Sequence, residues 1–400
     1  MHGTIDTGLR VEWRPLAFLA AMADAWRAPA GRALDPNVFY EPAFALAAAS
    51  VLGNGVGTGL VWTRSTPSRL LGFFPARIER RRYGLPLPVL TGWTHPYAPL
   101  GVPLVDCDRG EDAIAAWLEH VSVDPQLPKL LLLPFLPVDG GVAHALDAVL
   151  ARRDGRSVSF APHQRAFLAP GAVRAGYLDD AIGAKKRKEL RRQRKRLGDM
   201  GTVTVSNAGD PSTIAPALDD FFHLEAGGWK GRAGTAARNH ADIAAFMSSA
   251  VTALAGEGKA SVARLAVDAR AIAAMIVLRS GLGKEMTAGA TAGATAGATA
   301  WAWKIAYDER YARFSPGVQM LLDVTQSLLD DPTVARADSC ASADHPMIDH
   351  IWRERLPLAD RLVWVGPGRS PAFALAHALE TLRRAAIATA KTLRDRVKRR

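Results

Sequence analysis

Cysteine is scarce in this sequence: the 400 residues include two, Cys107 and Cys340. They do not form a Cys-x-x-Cys pair, which argues against a disulfide framework and against a cysteine-based zinc site. Low cysteine use is typical of proteins from a reducing compartment. We therefore expect a cytoplasmic protein.

Signals for secretion and for membrane insertion are also missing. The apolar part of the N-terminal stretch is interrupted by Asp24 and has no basic region before it, so it does not resemble a signal peptide. One uncharged run, Ala43 to Thr63, is long enough to span a bilayer. The segment GNGVGTG in its middle favours a helix, a turn and a strand instead.

Positive charge, by contrast, is abundant. The formal net charge is +11 and the sequence pI is near 9.9, while 48% of the residues are hydrophobic and 22% are charged. This composition is that of a globular protein, and 400 residues allow about two domains. The excess of basic residues favours a polyanionic partner: nucleic acid, an anionic membrane surface, or a phosphate-bearing substrate.

Helix and strand patterns alternate along the chain in two passes. The first pass covers residues 1–165, and the second begins near Ala166 with a basic helix and closes with the strand RLVWVG. From Ser370 onward the pattern is one amphipathic helix with a basic end. The sequence thus predicts a mixed α/β fold with domains at 1–165 and 166–369 and a helical tail at 370–400.

The basic helix contains nine basic residues among the twelve from Lys185 to Arg196. At about 100° per residue, a narrow apolar stripe is predicted, formed by Ile182, Leu190, Leu197 and Met200. Three roles are open for its charge: a solvated surface, a nucleic-acid contact, or an anchor for a phosphate-bearing ligand. The segment between Asp179 and Gly201 has no aromatic residue, which weakens the nucleic-acid role.

A short repeat stands apart from these patterns. Residues Thr287 to Ala300 read TAGATAGATAGATA, with a glycine in every four-residue unit. Neither helices nor strands favour so regular a glycine content, and we expect a flexible hairpin tip.

Three segments in order resemble a known family: LEAGGWKGRAG (Leu224–Gly234), WAWKIAYDERYARFSPG (Trp301–Gly317) and DSCA…IDHIWRER (Asp338–Arg355). They resemble the CelD-like acyltransferases, which are related to GCN5-type N-acetyltransferases (GNAT) and often associated with bacterial polysaccharide genes. This family is akin to the FemABX peptidoglycan aminoacyl-transferases. The resemblance covers about residues 170–365 and implies two tandem GNAT-like domains, an acyl-CoA donor and a sugar- or envelope-related acceptor.

The sequence departs from the GNAT pattern at the pyrophosphate signature Q/R-x-x-G-x-G/A, which is absent. Ser315, Pro316 and Gly317 offer a comparable turn before a predicted helix. Ser315 can cap this helix, Gly317 can let a phosphate approach the backbone, and Val318 lies in the first turn. We expect these residues to bind the acyl-CoA, although an ordinary capped helix has the same pattern.

Three residues are candidates for the chemistry. Alternation in WAWKIAYDE would place Trp301, Trp303 and Ile305 on one face of a strand and Lys304 on the other. The resemblance implies that Lys304 faces the reaction cleft and stabilises negative charge. Tyr307 could protonate the leaving thiolate, and Asp338, at a strand end, could be a base whose pKa is raised by burial. Each also has a structural alternative: a lysine at a strand edge, ordinary packing, or a loop hydrogen bond.

The acceptor is expected to meet residues in three places, each with a structural alternative. In AGGWKG, Trp229 could line a groove or pack in the core, and Lys230 could meet an anionic acceptor. In GWTHPYAPLG a structural role is more common for a lone histidine. The candidate acceptor residues are Trp229, Lys230, Arg191, Arg192, His95 and Tyr97.

The function predicted is therefore acyl transfer from acyl-CoA to an amine, with acyl-CoA as the co-substrate. We expect no metal, since the sequence has no metal-ligand spacing. One alternative is an aminoacyl-transferase that uses charged tRNA. Another is a non-enzymatic protein that binds a polyanion or attaches to an anionic membrane by its basic C-terminal helix.

Overall fold

The protein was analysed as a computed structural model, which describes residues 8–82, 84–169, 171, 174–281 and 297–398. The side chains of residue 388 and of residues 391–398 are outside this description. Residues 287–296 of the TAGA repeat are outside it as well, so the expected hairpin tip lies beyond the described residues. Residues 298–300, at the end of the repeat, form the start of a strand.

The described residues contain strands and helices throughout. The strands are β1 (Leu9–Pro15), β2 (Val56–Thr63), β3 (Leu70–Glu79), β4 (Val89–Gly92), β5 (Leu104–Val105), β6 (Leu130–Pro137), β7 (Arg156–Leu168), β8 (Val203–Ala208), β9 (Ala260–Val267), β10 (Arg270–Ser280), β11 (Ala298–Tyr307), β12 (Val334–Asp338) and β13 (Glu354–Trp364). The α-helices are α1 (Ala23–Gly31), α2 (Pro42–Leu52), α3 (Gly110–Val123), α4 (Gly141–Arg152), α5 (Tyr177–Ala181), α6 (Ala184–Gly198), α7 (Pro211–Gly227), α8 (Trp229–Arg232), α9 (Ala241–Gly256), α10 (Pro316–Asp330) and α11 (Pro371–Lys398). Mixed α/β is thus the observed fold class, and the C-terminal helix is present, as the sequence predicts.

The chain forms two compact units, each assembled from separate segments. Unit 1 takes the described residues of Met1–Phe18, Gly55–His163 and Pro357–Arg400. Unit 2 takes those of Leu19–Asn54 and Gln164–Leu356. The candidate catalytic and donor-binding residues all belong to unit 2.

The two units share one order of strands. In unit 1, β1 to β4 are antiparallel neighbours, β4 is parallel to β6, and β13 is antiparallel to β6. In unit 2, β8 to β11 are antiparallel neighbours, β11 is parallel to β12, and β7 is antiparallel to β12. Along the chain, helix α3 comes between the two parallel strands of unit 1, β4 and β6. Helix α10 comes between the two parallel strands of unit 2, β11 and β12. The same order of strands therefore occurs once in each unit.

Burial follows from the position of each strand. Strands β2, β3, β6 and β10 are buried along almost their whole length, because internal strands are covered on both faces. Strand β8 stands at the end of its sheet and is mostly exposed. This exposure is consistent with the polar residues in its sequence, VTVSNA.

Helix α6 confirms most of the predicted apolar stripe. Leu190, Leu197 and the preceding Ile182 are buried, while most of the basic side chains of the helix are exposed. Met200 is 45% exposed, so its place in the stripe was wrong. The helix ends at Gly198, and the helical period no longer applies two residues later.

None of the described helices combines the length and the apolar character needed to cross a membrane. The uncharged run from Ala43 to Thr63 is divided between α2 and β2, with a turn between them. This is the helix, turn and strand that the sequence predicts.

A buried ion pair attaches the α2 segment to the sheet of unit 2. Glu41, which is 1% exposed, accepts a 2.6 Å hydrogen bond from Lys259 and another from Ser280. Lys259 also contacts Glu257 at 2.9 Å. Removing the cation from a buried carboxylate strongly destabilises the folded protein.

We therefore expect Lys259→Met to lower the free energy of unfolding by about 3 kcal/mol or more, because it leaves the Glu41 carboxylate buried without its cation. Lys195→Met, at an exposed position of α6, should change it by about 0.5 kcal/mol at most. Urea unfolding of both variants checks this. Equal unfolding midpoints for the two would show that the ion pair does not hold the segment.

Candidate active site

A β-bulge interrupts the strand that carries the candidate catalytic residues. In the pairing of β11 with β10, Lys304 lies opposite Ile276 and Ala302 lies opposite Val277. Trp303 is therefore an extra residue without an opposite partner in β10. A bulge of one residue reverses which face of the sheet each later side chain occupies.

The bulge corrects the predicted alternation. Ala302, Ile305 and Tyr307 contact the hydrophobic cluster that includes Met320 of α10. Trp303 packs on the other side, with its ring 5.4 Å from that of Phe44. Simple alternation predicts that Ile305 shares a face with Trp301 and Trp303. The structure places Ile305 on the opposite face, so this prediction was wrong.

Lys304 consequently stays on the same side as Trp303, and its Nζ lies 5.9 Å from the centre of the Trp303 ring. Its charge interacts with Glu225 of α7 and Lys230 of α8. Tyr307 points toward α10. The two candidate catalytic side chains therefore leave β11 toward opposite faces of the sheet.

Strands β11 and β12 separate beside these residues. Their parallel pairing ends where Trp301 lies opposite Asp338, but β11 continues to Tyr307. We call the region between the end of β12 and the last six residues of β11 the fork. The β11 edge that faces the fork is not paired with β12 beyond Trp301.

A buried ion pair fixes the end of β12. Asp338 and Arg165 are both almost fully buried and are hydrogen-bonded to each other. The other oxygen of Asp338 accepts a 2.9 Å hydrogen bond from the Cys340 amide, and Cys340 has a left-handed φ of 53°. Asp338 therefore makes the loop hydrogen bond that was the alternative to a role as base.

Lys304 has an unusual environment for a lysine. Burial and, to a smaller extent, the neighbouring Lys230 ammonium lower its pKa to about 8, while the Glu225 carboxylate opposes the shift. Burial also raises the pKa of the Cys340 thiol well above its usual value, so this cysteine stays a neutral thiol near pH 7. Lys304, in contrast, can gain or lose a proton near neutrality, which suits acid–base chemistry.

The corner between α7 and α8 is held by Glu225. One of its oxygens accepts from Lys230 Nζ at 2.7 Å, and the other accepts from the Ala237 amide at 2.8 Å. Gly231 makes the tight corner possible, because a Cβ there would lie 1.8 Å from the carbonyl oxygen of Ala226. This corner brings the Lys230 charge close to Lys304.

Trp229, at the same corner, is 58% exposed. This excludes core packing, one of its two predicted roles, and leaves its ring available to a ligand. Its backbone amide donates to Glu309 at 2.8 Å, and Arg232 pairs with the same carboxylate at 2.6 Å.

A surface cavity of about 600 Å³ lies beside this corner. Its size falls in the range of small-molecule sites. Three of its lining residues are arginines, and all three pair with carboxylates at its edge: Arg232 with Glu309, and Arg270 and Arg310 with Asp308. The cavity therefore presents a dense set of charges of both signs.

The start of α10 differs in one respect from its prediction. Pro316 occupies the first turn, as expected, but Ser315 adopts a left-handed conformation (φ 53°, ψ 50°) and its side chain does not cap the helix. Gly317 is packed closely, since a Cβ there would lie 2.8 Å from the Tyr307 ring. The amides of Gly317 and Val318 belong to the first turn, where backbone N–H groups have no partner within the helix.

The remaining predicted residues lie elsewhere in the chain. Arg191 and Arg192 are exposed on α6, and Arg192 makes two hydrogen bonds to Glu189. His95 and Tyr97 lie in unit 1, where His95 Nδ1 accepts a 3.3 Å hydrogen bond from the Tyr97 amide. Helix α6 packs on α10, with Arg194 paired to Asp323 at 3.0 Å.

Sequence reasoning missed Glu225, Cys340 and Arg165. Glu225 and Cys340 stand inside the quoted motifs, so their neighbourhood was a usable signal. Arg165 pairs with a residue 173 positions away, and nothing local in the sequence marks that pairing.

One group of potential metal ligands occurs among the described residues: Asp106, Cys107 and Asp108, with ligand atoms within 4.8 Å of one another. Asp106 is paired with Arg69 at 3.4 Å. The group belongs to unit 1 and has no connection with Lys304.

Comparison with known proteins identifies a segment that includes the α7–α8 corner but ends before Lys304 and the start of α10. Residues 184–283, about a quarter of the chain, match the family model described as "Acetyltransferase (GNAT) domain". The match begins at the first residue of α6. No curated protein matches the sequence.

Several solved structures have a similar fold. FemX gives a TM-score of 0.55 at 10% identity, covering 90% of this chain and 98% of its own. The C-terminal domain of a putative lysylphosphatidylglycerol synthetase from Agrobacterium fabrum gives 0.53 at 11% identity, covering 91% and 96%. A conserved protein of unknown function from Bacteroides thetaiotaomicron gives 0.51 at 9% identity, covering 88% and 99%. At these identities the likeness shows the fold alone.

The pKa of Lys304 can be tested directly. Acetic-anhydride labelling of Lys304, followed by mass spectrometry across a pH series, should be half-maximal near pH 8. Lys230→Gln should move this midpoint to higher pH, because it removes a positive charge that disfavours the Lys304 ammonium. Lys195→Gln is the control and should leave the midpoint unchanged. A wild-type midpoint near 10.4, the value of a free lysine, would contradict the account.

Proposed function

We propose that the protein is an acyltransferase that moves an acyl group from acyl-CoA to an amine of a sugar- or cell-envelope-related acceptor. The observation that carries this proposal is the lowered pKa of Lys304, on a strand that separates from its parallel neighbour. The GNAT match of residues 184–283 supports the same reaction class. The resemblance to the polysaccharide-associated CelD-like acyltransferases supports the acceptor class.

The acyl-CoA would bind at the start of α10 and along the fork. The first-turn amides of Gly317 and Val318 and the positive end of the α10 dipole favour a phosphate group. The part of β11 beyond its pairing with β12 would form backbone hydrogen bonds to an extended amide chain of the donor. The thioester of the donor would then lie between Tyr307 and Lys304.

The acceptor would approach on the α7 side of the sheet. Trp229 is exposed there, Lys230 carries a charge beside Lys304, and the arginine-lined cavity adjoins the same corner. These groups suit a polar acceptor such as an amino sugar, because charges of both signs line the cavity. Arg191 and Arg192 of α6, and His95 and Tyr97 of unit 1, remain proposed acceptor residues.

The opposite directions of Lys304 and Tyr307 divide the proton transfers between them. The acceptor nitrogen forms a bond to the thioester carbonyl carbon, and the carbon–sulfur bond breaks. The proton lost by the nitrogen passes to neutral Lys304 on the acceptor side, and Tyr307 on the donor side gives a proton to the leaving sulfur. Lys304 thus acts as base in this proposal, in place of Asp338.

Asp338 receives a positioning role instead. Its two oxygens are engaged by Arg165 and by the Cys340 amide. These contacts hold the chain after β12 away from β11 and so keep the fork open.

An aminoacyl-transferase that uses charged tRNA is a second candidate. The exposed basic side chains of α6 favour it, because such a surface can contact RNA phosphates. FemX has a similar fold. The acyltransferase family that the sequence resembles is also akin to the FemABX aminoacyl-transferases. This candidate predicts that charged tRNA binds, with an affinity that falls steeply as salt is added.

Release of free coenzyme A, followed with a thiol reagent and a panel of amino-sugar and nucleotide-linked acceptors, tests the preferred function. The rate should rise with pH through about 8, as Lys304 loses its proton. Lys304→Met and Lys304→Arg should both lower kcat by about a hundred-fold or more, because neither side chain can accept a proton near neutrality. Lys195→Met is the matched control and should keep full activity.

Two results would contradict this assignment. An active Lys304→Arg variant, with a wild-type rate that falls above pH 8, would make Lys304 a charge stabiliser rather than a base. If none of the acyl-CoA donors releases coenzyme A, and charged tRNA binds with an affinity that falls as salt is added, the second candidate is favoured.

A further inference from the structure

Helix α11 has two faces of different character. Its inner face packs on unit 1 through Ala376, Phe373 and Leu379. Glu380 on the same face is buried and pairs with Arg82 at 2.5 Å. These contacts fix the first half of the helix to unit 1.

The outer face exposes large apolar side chains. Leu375 is 45% exposed and Leu382 is 67% exposed. Leu375, Leu382 and Ala386 follow one another at spacings of seven and four, so they form one row along the helix. Burial of these side chains needs a partner outside unit 1.

The charge of the same helix indicates which partner fits. From Arg383 to Arg400 the sequence contains eight basic residues and one acidic residue, Asp395. An anionic lipid surface satisfies both features, because its headgroups attract the cations and its interface receives the apolar row. We propose that the outer face of α11 docks on an anionic lipid surface and lies in the plane of the headgroups.

Two other occupants fit less well. Pairing with the α11 of a second copy would place two strongly basic segments side by side, which like-charge repulsion opposes. A nucleic acid would use the cations but leave the leucines exposed, and residues 374–400 contain no aromatic residue for stacking on bases. A membrane-spanning role does not arise for the described helices, since none is long and apolar enough.

Vesicle co-sedimentation of the full chain tests the proposal. Wild type should bind vesicles of mixed phosphatidylglycerol and phosphatidylcholine, and not vesicles of phosphatidylcholine alone. Leu382→Glu and Ala385→Glu each add one negative charge at an exposed position of the same helix, but Ala385 lies off the apolar row. Ala385→Glu should weaken binding about five-fold through charge alone, and Leu382→Glu at least about ten-fold more, through loss of the leucine from the interface.

Circular dichroism and thermal unfolding establish that both variants are folded. The proposal is overturned if wild type ignores anionic vesicles, or if the two variants lose the same affinity. It is also overturned if Leu382→Glu abolishes a dimer seen by light scattering, which would assign the face to a second copy. Displacement of wild type from vesicles by duplex RNA, with Leu382→Glu binding that RNA normally, would assign it to nucleic acid.

Discussion

The β-bulge at Trp303 is the constraint on which the candidate site depends. Without it, Lys304 would lie on the α10 side of the sheet, buried in an apolar cluster that includes Met320. With it, Lys304 reaches Glu225 and Lys230, and Tyr307 turns toward Gly317. One extra residue in one strand thus places Lys304 and Tyr307 on opposite faces of the sheet, and the proposed donor and acceptor sides rest on this arrangement.

Buried polar contacts then hold this arrangement in place. Asp338 and Arg165 fix the end of β12, and β11 continues beyond its pairing with β12. Glu225 fixes the α7–α8 corner through Lys230 and brings a second ammonium group toward Lys304. Because breaking a buried ion pair costs several kcal/mol, both contacts are rigid supports, and the pKa of Lys304 is a consequence of the geometry that they maintain.

Local patterns in the sequence predicted the elements well and the contacts between them poorly. The basic helix, the start of α10 at Pro316 and the strand around Lys304 were all found, because periodicity and helix-start residues report local structure. The bulge at Trp303 was missed, since a strand with an extra residue has the same composition as one without it. Arg165 was missed because its partner Asp338 is distant in the chain. The left-handed conformation of Ser315 was missed because a serine residue does not indicate that conformation.

Calorimetric titration with acetyl-CoA and longer acyl-CoAs tests the central claim most directly, that the fork and the start of α10 hold the acyl donor. The account predicts saturable binding to wild type, at least about ten-fold weaker binding to Gly317→Ala, and unchanged binding to Gly256→Ala. Both changes add one methyl group to a helix, but a Cβ at Gly317 meets the Tyr307 ring whereas one at Gly256 meets nothing within 4 Å. Absence of acyl-CoA binding, or equal binding to both variants, would contradict the account.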